Sequence, residues 1–412
     1  MSSDLSFFGV ISVFYTDMKH FAVFGTHPRL SLAEFKAARP KAKNIKVDDE
    51  AITFEDPDWN GQKMIDLLGG TVKLGEVVLE VPISKLDERM LAKVVLENPR
   101  ADKIVFGLSF YGGLASIRKK IEKLPIRLKR ELKDTGRHVR WMTSEHGKSP
   151  TPAAVAKLDL TDKGYDFVLI INNDRVAIGL TTHVQDADAW SLRDYGRPAR
   201  KAKAGMLPPK LARMMVNLAE LSDGGVLLDP FCGSGTILME AALATQAEKI
   251  IGSDIDAKQI KDTNANLDWL VQQNIFKNNE RKNIQTFVSD IRKLDPRTSD
   301  IGPRTIDVVV TEGYLGPPLK GHETNAGLEK SATEITNLWR DTFQVLHPLL
   351  KDKGRVVCIW PAYKTKLGSA RVDLSEDKEL LKKFNILTPE PMIYHRQGQH
   401  IKRQIMILEK KG

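Results

Sequence analysis

Cysteine is scarce in this chain of 412 residues, which contains only Cys232 and Cys358. Two cysteines cannot form a disulfide framework or a zinc site built from several cysteines. Small disulfide-rich domains and small domains folded around such a zinc site are therefore excluded. Each cysteine lies in an apolar or glycine-rich stretch, and we expect both to be small buried side chains rather than reactive groups or metal ligands.

Long apolar runs are also missing. No stretch approaches the length that a membrane-spanning helix needs, and residues 1–4 do not begin the basic region and apolar core of a secretory signal. Hydrophobic residues make up 42% and charged residues 28%, which is ordinary for a soluble protein. The sequence therefore predicts a cytoplasmic protein without membrane attachment.

Acidic residues are in the minority, with 53 against 62 lysines and arginines, which gives a formal net charge of +9. Such a balance favours a polyanionic partner, although charge alone is weak support. The most basic segment has only Glu122, Glu131 and Asp134 as acids. We expect it to bind phosphates rather than to be an ordinary solvated face. Its cations are Arg118, Lys119, Lys120, Lys123, Arg127, Lys129, Arg130, Lys133, Arg137 and Arg140.

Hydrophobic patterning divides the chain into segments. Residues 1–84 alternate short strand and helix patterns, which predicts a small α+β domain of ferredoxin-like kind, with Ser31 as the N-cap of its first helix. Residues 85–188 carry four further strand patterns around the basic segment. Residues 189–205 are polar and basic and indicate a linker, and a helix beginning at two prolines opens the segment 206–412.

A strand, a glycine turn and a helix follow one another near residue 229. The apolar run 225–228 predicts a buried strand, and a helix pattern begins near Thr236. Gly233 and Gly235 allow a ligand to approach the main chain at the carboxyl end of the sheet. Leu238 stands where a dinucleotide motif needs its third glycine, and no Lys-Ser/Thr pair follows, so nicotinamide cofactors and nucleoside triphosphates are poor ligands for this turn.

The run Asp229-Pro230-Phe231-Cys232-Gly233-Ser234-Gly235-Thr236 resembles the first motif of class I S-adenosylmethionine methyltransferases that act on exocyclic amines of nucleobases. The whole chain is similar to the THUMP-containing tRNA guanosine N2-methyltransferases, particularly those acting at tRNA position 10. Residues 106–112 resemble the first THUMP strand, and residues 193–198 with 207–213 resemble the junction into the catalytic domain.

The resemblance implies a fold and partners. The implied fold is α/β: a Rossmann-like class I methyltransferase domain with a seven-stranded mixed sheet, over residues 206–412, preceded by the ferredoxin-like domain (1–84), a THUMP RNA-binding domain (85–188) and the linker (189–205). The implied cofactor is S-adenosylmethionine and the implied partner is tRNA, with no metal. Some relatives also use a small activating subunit. The residues that would bind tRNA are Arg118, Lys119, Lys120, Arg127, Lys129, Arg130, Arg193 and Arg197.

The resemblance also implies a cofactor site. Asp254 follows a predicted strand and would accept hydrogen bonds from the ribose hydroxyls, whereas Asp256 suits helix capping. Asp290 follows the next strand and would accept from the adenine amino group, with a helix N-cap as its alternative role. The full set of expected cofactor-binding residues is Asp229, Pro230, Phe231, Cys232, Gly233, Gly235, Thr236, Asp254, Ile255, Asp290 and Ile291.

The sequence departs from these relatives after the strand Ile306–Val310. Thr311-Glu312-Gly313-Tyr314 stands where amine methyltransferases carry Asp/Asn/Ser-Pro-Pro-Tyr/Phe. An exocyclic amine has its lone pair delocalised into the ring, so hydrogen-bond acceptors must hold its N–H groups while an aromatic ring stacks on the flipped base. We expect Thr311, Glu312 or nearby carbonyls to be the acceptors and Tyr314 to be the stacking ring.

These features predict methyl transfer to the N2 amine of a guanosine in tRNA, by direct attack on the sulfonium methyl. Two alternatives stay open on the sequence alone. One is another nucleic-acid amine methyltransferase that acts on rRNA or DNA. The other is a non-catalytic RNA-binding protein that retains the cofactor pocket.

Overall fold

The computed structural model describes residues 18–48, 50–143, 150–200, 206–294, 301–388 and 390–412. Through residue 191 its helices and strands are, in chain order, β1 (Lys19–Phe24), α1 (Pro28–Ala38), β2 (Lys43–Asp48), β3 (Ala51–Glu55), α2 (Gly61–Leu67), β4 (Thr71–Pro82), α3 (Glu88–Glu97), β5 (Ile104–Gly112), α4 (Ala115–Ile121), α5 (Leu124–Lys133), β6 (Val139–Met142), α6 (Pro152–Lys157), β7 (Tyr165–Asn172), β8 (Arg175–Val184) and α7 (Ala187–Ser191).

A π-helical turn, Leu192–Gly196, follows α7, and the short 3₁₀ helices are Ile83–Lys85 and Ile291–Lys293. The remaining elements are α8 (Pro209–Leu218), β9 (Val226–Asp229), α9 (Thr236–Ala244), β10 (Lys249–Asp254), α10 (Ala257–Gln272), α11 (Asn278–Arg281), β11 (Ile284–Val288), β12 (Ile306–Thr311), α12 (Asn325–Leu349), β13 (Leu350–Lys364), β14 (Ser369–Arg371), α13 (Lys378–Lys383), β15 (Phe384–Ile386), β16 (Met392–Tyr394) and β17 (Ile401–Lys410).

The chain forms two compact units. Among the described residues, the first comprises residues 18–25 together with Arg39–Asp66 and Thr71–Asp186, and the second comprises Thr26–Ala38, Leu67–Gly70 and Ala187–Gly412. Two short pieces of the amino-terminal region therefore fold with the carboxyl-terminal unit. The described part of the expected linker, residues 189–200, belongs to that unit as well, and residues 201–205 lie outside the described residues.

The first unit is built on one eight-stranded sheet in the order β2-β3-β1-β4-β8-β7-β5-β6. Strands from the expected ferredoxin-like segment and from the expected THUMP segment share this sheet, since β4 pairs antiparallel with β8. The Phe21 ring lies where Gly75 and Gly179 have no side chain, and a Cβ at either glycine would come within 2.5 Å of it. A buried ion pair joins Lys73 to Asp166 at 2.7 Å.

The second unit contains a sheet in the order β11-β10-β9-β12-β13-β17-β15, with β14 added beside β13 and β16 beside β17. The pairs from β11 to β13 are parallel, whereas β17 runs antiparallel between β13 and β15. This arrangement confirms the expected Rossmann-like mixed sheet: its continuous path has seven strands, and two short strands are added at the side. Strands β16 and β17 pair antiparallel and form a hairpin around Gln397-Gly398-Gln399.

Helices cover both faces of the second sheet. One apolar cluster includes Leu211 and Met215 of α8, Leu238 of α9 and Leu267 of α10. The other is formed around Trp339 and Phe343 of α12. The strand order reverses between β9 and β12, and an open α/β sheet binds ligands at such a reversal, beyond the carboxyl ends of the strands.

The start of α1 differs from the prediction, and the start of α12 is set by a capping side chain. We expected Ser31 to cap the first helix, but α1 begins at Pro28 and the Ser31 hydroxyl donates to the carbonyl of His27 at 3.0 Å. Proline suits the first helical position because its missing N–H is not needed there. Helix α12 begins at Asn325 because Thr324 caps it by accepting from the Gly327 N–H. Among the described residues no helix is long and apolar enough to cross a membrane.

Candidate active site

A cavity of about 570 Å³ lies at the carboxyl ends of β9, β10, β11 and β12 in the second unit. It is lined by Met206, Leu207, Asp229, Pro230, Phe231, Cys232, Gly233, Ser234, Thr236, Ile237, Asp254, Ile255, Gln259, Ser289, Asp290, Ile291, Arg292, Glu312, Gly313, Tyr314, Leu315, Gly316, Pro318 and Leu338. The structure thus brings together every expected cofactor-binding residue except Gly235, and two of the three expected catalytic residues.

The glycine turn forms as predicted: β9 ends at Asp229 and α9 begins at Thr236. Gly235 has φ +82°, and a Cβ there would come within 2.8 Å of the Thr263 methyl group. Gly235 therefore shapes the turn rather than lining the cavity. The Thr263 hydroxyl donates to the carbonyl of Gly233 at 2.7 Å, and the Asn266 amide donates to the carbonyl of Ser234 at 2.8 Å. Helix α10 thereby holds the turn in place.

Asp229 is a buried carboxylate, 1% exposed, at the end of β9. Its Oδ1 accepts from the Thr311 hydroxyl at 2.7 Å and from the Phe231 N–H at 3.1 Å, whereas its Oδ2 has no hydrogen-bond partner among the described residues. Burial raises the pKa of Asp229 to about 7; the bonds from Thr311 and Phe231 oppose that rise, and the carboxylates of Asp254 and Glu312 add to it. An acceptor atom is thus left for a ligand that donates hydrogen bonds.

Asp254 ends β10 and is half-buried beside the cavity. Its Oδ2 accepts from the Gly233 N–H at 3.0 Å, and its Oδ1 accepts from the Asp256 N–H at 2.9 Å. These bonds fix the carboxylate and leave further lone pairs on both oxygens. Asp256 caps α10 by accepting from the Lys258 N–H, which is the capping role expected for it.

Asp290 follows β11 and is held by its neighbour Arg292. Its Oδ1 accepts from the Arg292 main-chain N–H and Nε, both at 3.0 Å, and its Oδ2 accepts from Nη2 at 2.7 Å. Asp290 is also the N-cap of the 3₁₀ helix Ile291–Lys293, the alternative role named above. The bonds from Arg292 lower the pKa of Asp290, so it is a carboxylate at neutral pH, and Oδ2 keeps one acceptor position.

The loop after β12 corrects one expectation. Thr311 is the last residue of β12, is fully buried and does not line the cavity, because its hydroxyl turns inward to Asp229. The first side chain beyond the strand that reaches the cavity is Glu312, which accepts from Arg403 Nε at 2.6 Å. Burial raises the pKa of Glu312, and Arg403 opposes that rise. Tyr314 lines the cavity with 53% of its surface exposed.

Two glycines fix the path of this loop. Gly313 has φ +70°, and a Cβ there would come within 2.6 Å of the Trp339 ring. Gly316 has φ +91°, and the hydroxyl of Tyr363 donates to the neighbouring carbonyl of Leu315 at 3.0 Å. The glycine that replaces proline is thus required by both conformation and space.

The basic candidates of the first unit lie on α4 and α5. Lys119 and Arg130 are exposed. Arg118 Nε donates to the carbonyl of Gly112 at 2.6 Å, Arg127 pairs with Glu88 at 2.8 Å, and Lys129 is half-buried. The side chain of Lys120 lies outside the described part of the structure.

Arg193 and Arg197 occupy positions that differ from the expectation that they contact RNA. Arg193 is 7% exposed, pairs with the buried Glu240 at 2.8 Å and stacks on Trp190 at 4.1 Å. Arg197 is 3% exposed and donates to the Thr236 hydroxyl at 2.7 Å. Both guanidinium groups are therefore used inside the second unit, where they brace α9.

Both cysteines are buried, as expected. Burial raises the pKa of the Cys232 and Cys358 thiols well above the ordinary value, so neither is a nucleophile at neutral pH. In the described ranges, no group of three or more His, Cys, Asp or Glu side chains is arranged to hold a metal ion.

Sequence reasoning missed several residues that shape the site: Thr263, Asn266, Gln259, Arg292, Leu315 and Arg403. Thr263 and Asn266 are polar residues on the buried side of α10, and that pattern was a usable signal. Arg403 lies 91 positions from Glu312, and nothing in the local sequence indicates the pair.

Known proteins resemble the part of the chain that forms this cavity. Residues 197–294 match the family model UPF0020, described as the RMKL-like methyltransferase domain. This stretch of the chain is therefore similar to an RMKL-like methyltransferase domain. A tRNA (guanine(10)-N2)-dimethyltransferase of Methanocaldococcus jannaschii is 29% identical over 216 residues, which are 50% of this chain and 52% of that protein. The protein of that name from Methanothermobacter thermautotrophicus is 32% identical over 159 residues, 39% of this chain and 40% of that protein.

The chain thus spans about half the length of the curated relatives it matches, 52% and 40% for these two. A solved structure, TrmN from Thermus thermophilus, matches with a TM-score of 0.52 and 18% identity over 95% of this chain and 99% of that chain, which supports the fold. These findings confirm the resemblance to the THUMP-type guanosine N2-methyltransferase family and the methyltransferase fold.

Proposed function

We propose that this protein transfers a methyl group from S-adenosylmethionine to the exocyclic N2 amine of guanosine 10 in tRNA. The observation that supports this most strongly is the single cavity that joins the glycine turn at Asp229 to the acidic loop at Glu312. A cofactor site and an acceptor for amine N–H groups thereby face the same space. The nucleotide and its position are taken from the two archaeal relatives, which are both tRNA (guanine(10)-N2)-dimethyltransferases.

The cofactor end of the cavity fits the parts of S-adenosylmethionine. The two lone pairs left on Asp254 suit a pair of ribose hydroxyls, and Ile255, which is 66% exposed, offers an apolar surface for adenine together with Ile291. The free acceptor position of Asp290 Oδ2 suits the adenine amino group. The unpartnered Oδ2 of Asp229 suits the ammonium group of the methionine part.

The acceptor end fits a planar base amine. The bound cofactor supplies an electrophilic methyl group on a sulfonium centre. Glu312 accepts hydrogen bonds from the N–H groups of the guanine amine and so directs its nitrogen at the methyl group. Glu312 also receives the proton that the nitrogen loses. The exposed ring of Tyr314 stacks on the flipped base. Of the acceptors expected from the sequence, Thr311, Glu312 and the nearby carbonyls, we therefore favour Glu312, whose side chain lines the cavity.

We assign RNA binding to the cations of the first unit and localisation to the cytoplasm. We also propose that the protein could use a small activating subunit, as some relatives do. The methyl-transfer assay described next tests this, because the chain is first assayed alone. Turnover by the chain alone would show that such a subunit is dispensable.

The test is mass spectrometry of nucleosides from unmodified tRNA incubated with the protein and cofactor. We expect N2-methylated guanosine at position 10, and the product mass distinguishes one methyl group from two. Glu312→Ala and Tyr314→Ala should each lower turnover, the former by about 100-fold, as for loss of one catalytic hydrogen-bonding group. Glu376→Gln, an exposed acid outside the cavity, is the matched control.

Other results would contradict the proposal in distinct ways. Methyl groups found in rRNA or DNA but not in tRNA would indicate another amine methyltransferase. If wild type makes no product, either alone or with a cell extract that could supply an activating subunit, while wild type, Glu312→Ala and Tyr314→Ala bind RNA equally well, the protein is a non-catalytic RNA-binding protein.

A further inference from the structure

Glu312 is held by an arginine from the last strand of the domain. Arg403 lies on β17, opposite Pro361 of β13 and Tyr394 of β16. Its Nε donates to Glu312 Oε1 at 2.6 Å, and its side chain is 3% exposed, compared with 19% for that of Glu312. A guanidinium buried within a sheet between two neighbours has little freedom, so its partner is fixed as well.

The acceptor loop needs such a restraint. In the related motif two prolines limit the backbone after the acidic residue, whereas here Glu312 is followed by Gly313, whose φ of +70° lies in the left-handed region. Glutamate also has one more rotatable bond than the aspartate of the related motif. Both changes add freedom at the point where an acceptor must be placed accurately for methyl transfer.

We propose that Arg403 is a positioning residue that replaces the restraint of the two prolines by holding the Glu312 carboxylate ionised and aimed at the methyl-accepting amine. This inference rests on the proposed role of Glu312. A carboxylate offers about four acceptor positions, so the ion pair leaves room for the N–H groups of the substrate. Arginine suits this task because its planar fork keeps its charge and fixes direction, whereas lysine fixes only distance.

The charges around the loop support the same role. Glu312 raises the pKa of Asp229 on β9 as a like charge, whereas Arg403 on β17 is the opposite charge paired with Glu312. Tyr314 lines the same cavity, and Tyr363 on β13 donates to the carbonyl of Leu315 in the same loop. Burial raises the pKa of Glu312, and Arg403 limits that rise. Without Arg403 the Glu312 carboxyl would stay protonated up to a higher pH. In that form it would lose its capacity to accept hydrogen bonds from two N–H groups.

The test compares wild type, Arg403→Gln and Arg403→Lys in the full chain. Cofactor binding is measured by calorimetry, and single-turnover methyl transfer to tRNA is measured from pH 6 to pH 9. For Arg403→Gln we expect cofactor affinity within about threefold of wild type, a methyl-transfer rate lowered by about tenfold or more, and a rising limb of the pH profile displaced upward by about one pH unit. Arg403→Lys should lower the rate but displace the limb less, because it keeps the charge.

Lys402→Gln is the matched control, since it removes one cation from the neighbouring position of β17 and should leave rate and profile unchanged. If Arg403→Gln does not fold, Arg403→Lys carries the test through its rate loss at nearly normal cofactor affinity. Wild-type rate and pH profile in both folded arginine variants would overturn the proposal. Failure of the proposed function would look different, because wild type itself would then transfer no methyl group to RNA.

Discussion

At the scale of single residues, Asp229 shows how the site combines structure and function. One of its oxygens is used by Thr311 and Phe231, and the other has no partner among the described residues although the side chain is buried. An unpaired buried acceptor costs free energy, which a donor ligand would recover. The raised pKa, about 7, has the same origin, since burial disfavours the charged form.

We therefore expect cofactor affinity to depend on pH. Below about pH 7 Asp229 is increasingly neutral and loses its attraction for the ammonium group, whose own pKa as an α-amino group is about 8. Affinity measured by calorimetry should rise by about threefold to tenfold from pH 6 to pH 7.5 and fall again above about pH 8. Asp229→Asn keeps Oδ1 for Thr311 and Phe231 and should bind more weakly without the rise. A rise of equal size in that variant would contradict the assignment.

The sequence predicted some of these residues better than others. The turn from Asp229 to Thr236 was predictable because its glycines and its neighbouring strand and helix patterns all lie within about a dozen positions of the sequence. The roles of Thr311 and Glu312 depend on which residue ends β12. Because side chains alternate between the two faces of a strand, an error of one residue in that end exchanges a buried position for a cavity position. The burial of Arg193 and Arg197 was not predicted because their partners, Glu240 and Thr236, lie 47 and 39 positions away.

At the scale of elements, α1 and the segment Leu67–Gly70 belong to the second unit although they come from the amino-terminal region. Glu34 of α1 is fully buried and accepts from the Gly69 N–H at 2.7 Å, from the Gly70 N–H at 2.8 Å and from the Asn217 amide of α8 at 2.7 Å. One carboxylate thus fastens three pieces of chain together. Burial raises its pKa to about 7, against the opposing effect of these donors.

This site should make stability depend on pH. The pKa of Glu34 is raised in the folded state, so the folded protein binds more protons than the unfolded protein between about pH 4.5 and pH 7, and stability falls as pH rises through that range. We expect the free energy of unfolding to fall by about 1–3 kcal/mol more in wild type than in Glu34→Gln between pH 5 and pH 8. Chemical denaturation of the full chain measures this, with Glu376→Gln as the control. Parallel curves for wild type and Glu34→Gln would contradict it.

Elements were predicted well where periodicity is local. The four strand patterns predicted around the basic segment, for example, correspond to β5, β6, β7 and β8. Which element packs in which unit was not predictable, because the assignment of α1 depends on Glu34 and Asn217, which are 183 positions apart. The boundary expected at residue 84 also depends on distant residues. It falls just after β4, a strand that pairs with β8 across about a hundred positions.

At the scale of the whole molecule, the excess of 9 positive charges is not spread evenly. In the first unit a concavity of about 460 Å³ is lined by Lys103, Lys133, Gly136, Arg137, His138, Val139 and Arg140, with no acid among these described residues. The Nη1 of Arg137 is buried and has no hydrogen-bond partner among the described residues. A concave surface with several cations and an unpaired guanidinium N–H is suited to a phosphate group.

This concavity gives a salt-dependence prediction for RNA binding. Each phosphate neutralised contributes about 0.7–0.9 to the slope of log affinity against log salt, so Lys133→Gln, Arg137→Gln and Arg140→Gln combined should reduce the slope by about 2 and weaken binding between about 50 and about 200 mM salt. The control removes three exposed cations elsewhere in the same unit, by Lys63→Gln, Lys85→Gln and Lys157→Gln. Because long-range attraction by net charge would fall equally in both triple variants, only phosphate contacts at the concavity make the first slope smaller than the second. Equal slopes, measured by fluorescence anisotropy with labelled tRNA, would place the RNA elsewhere on the protein.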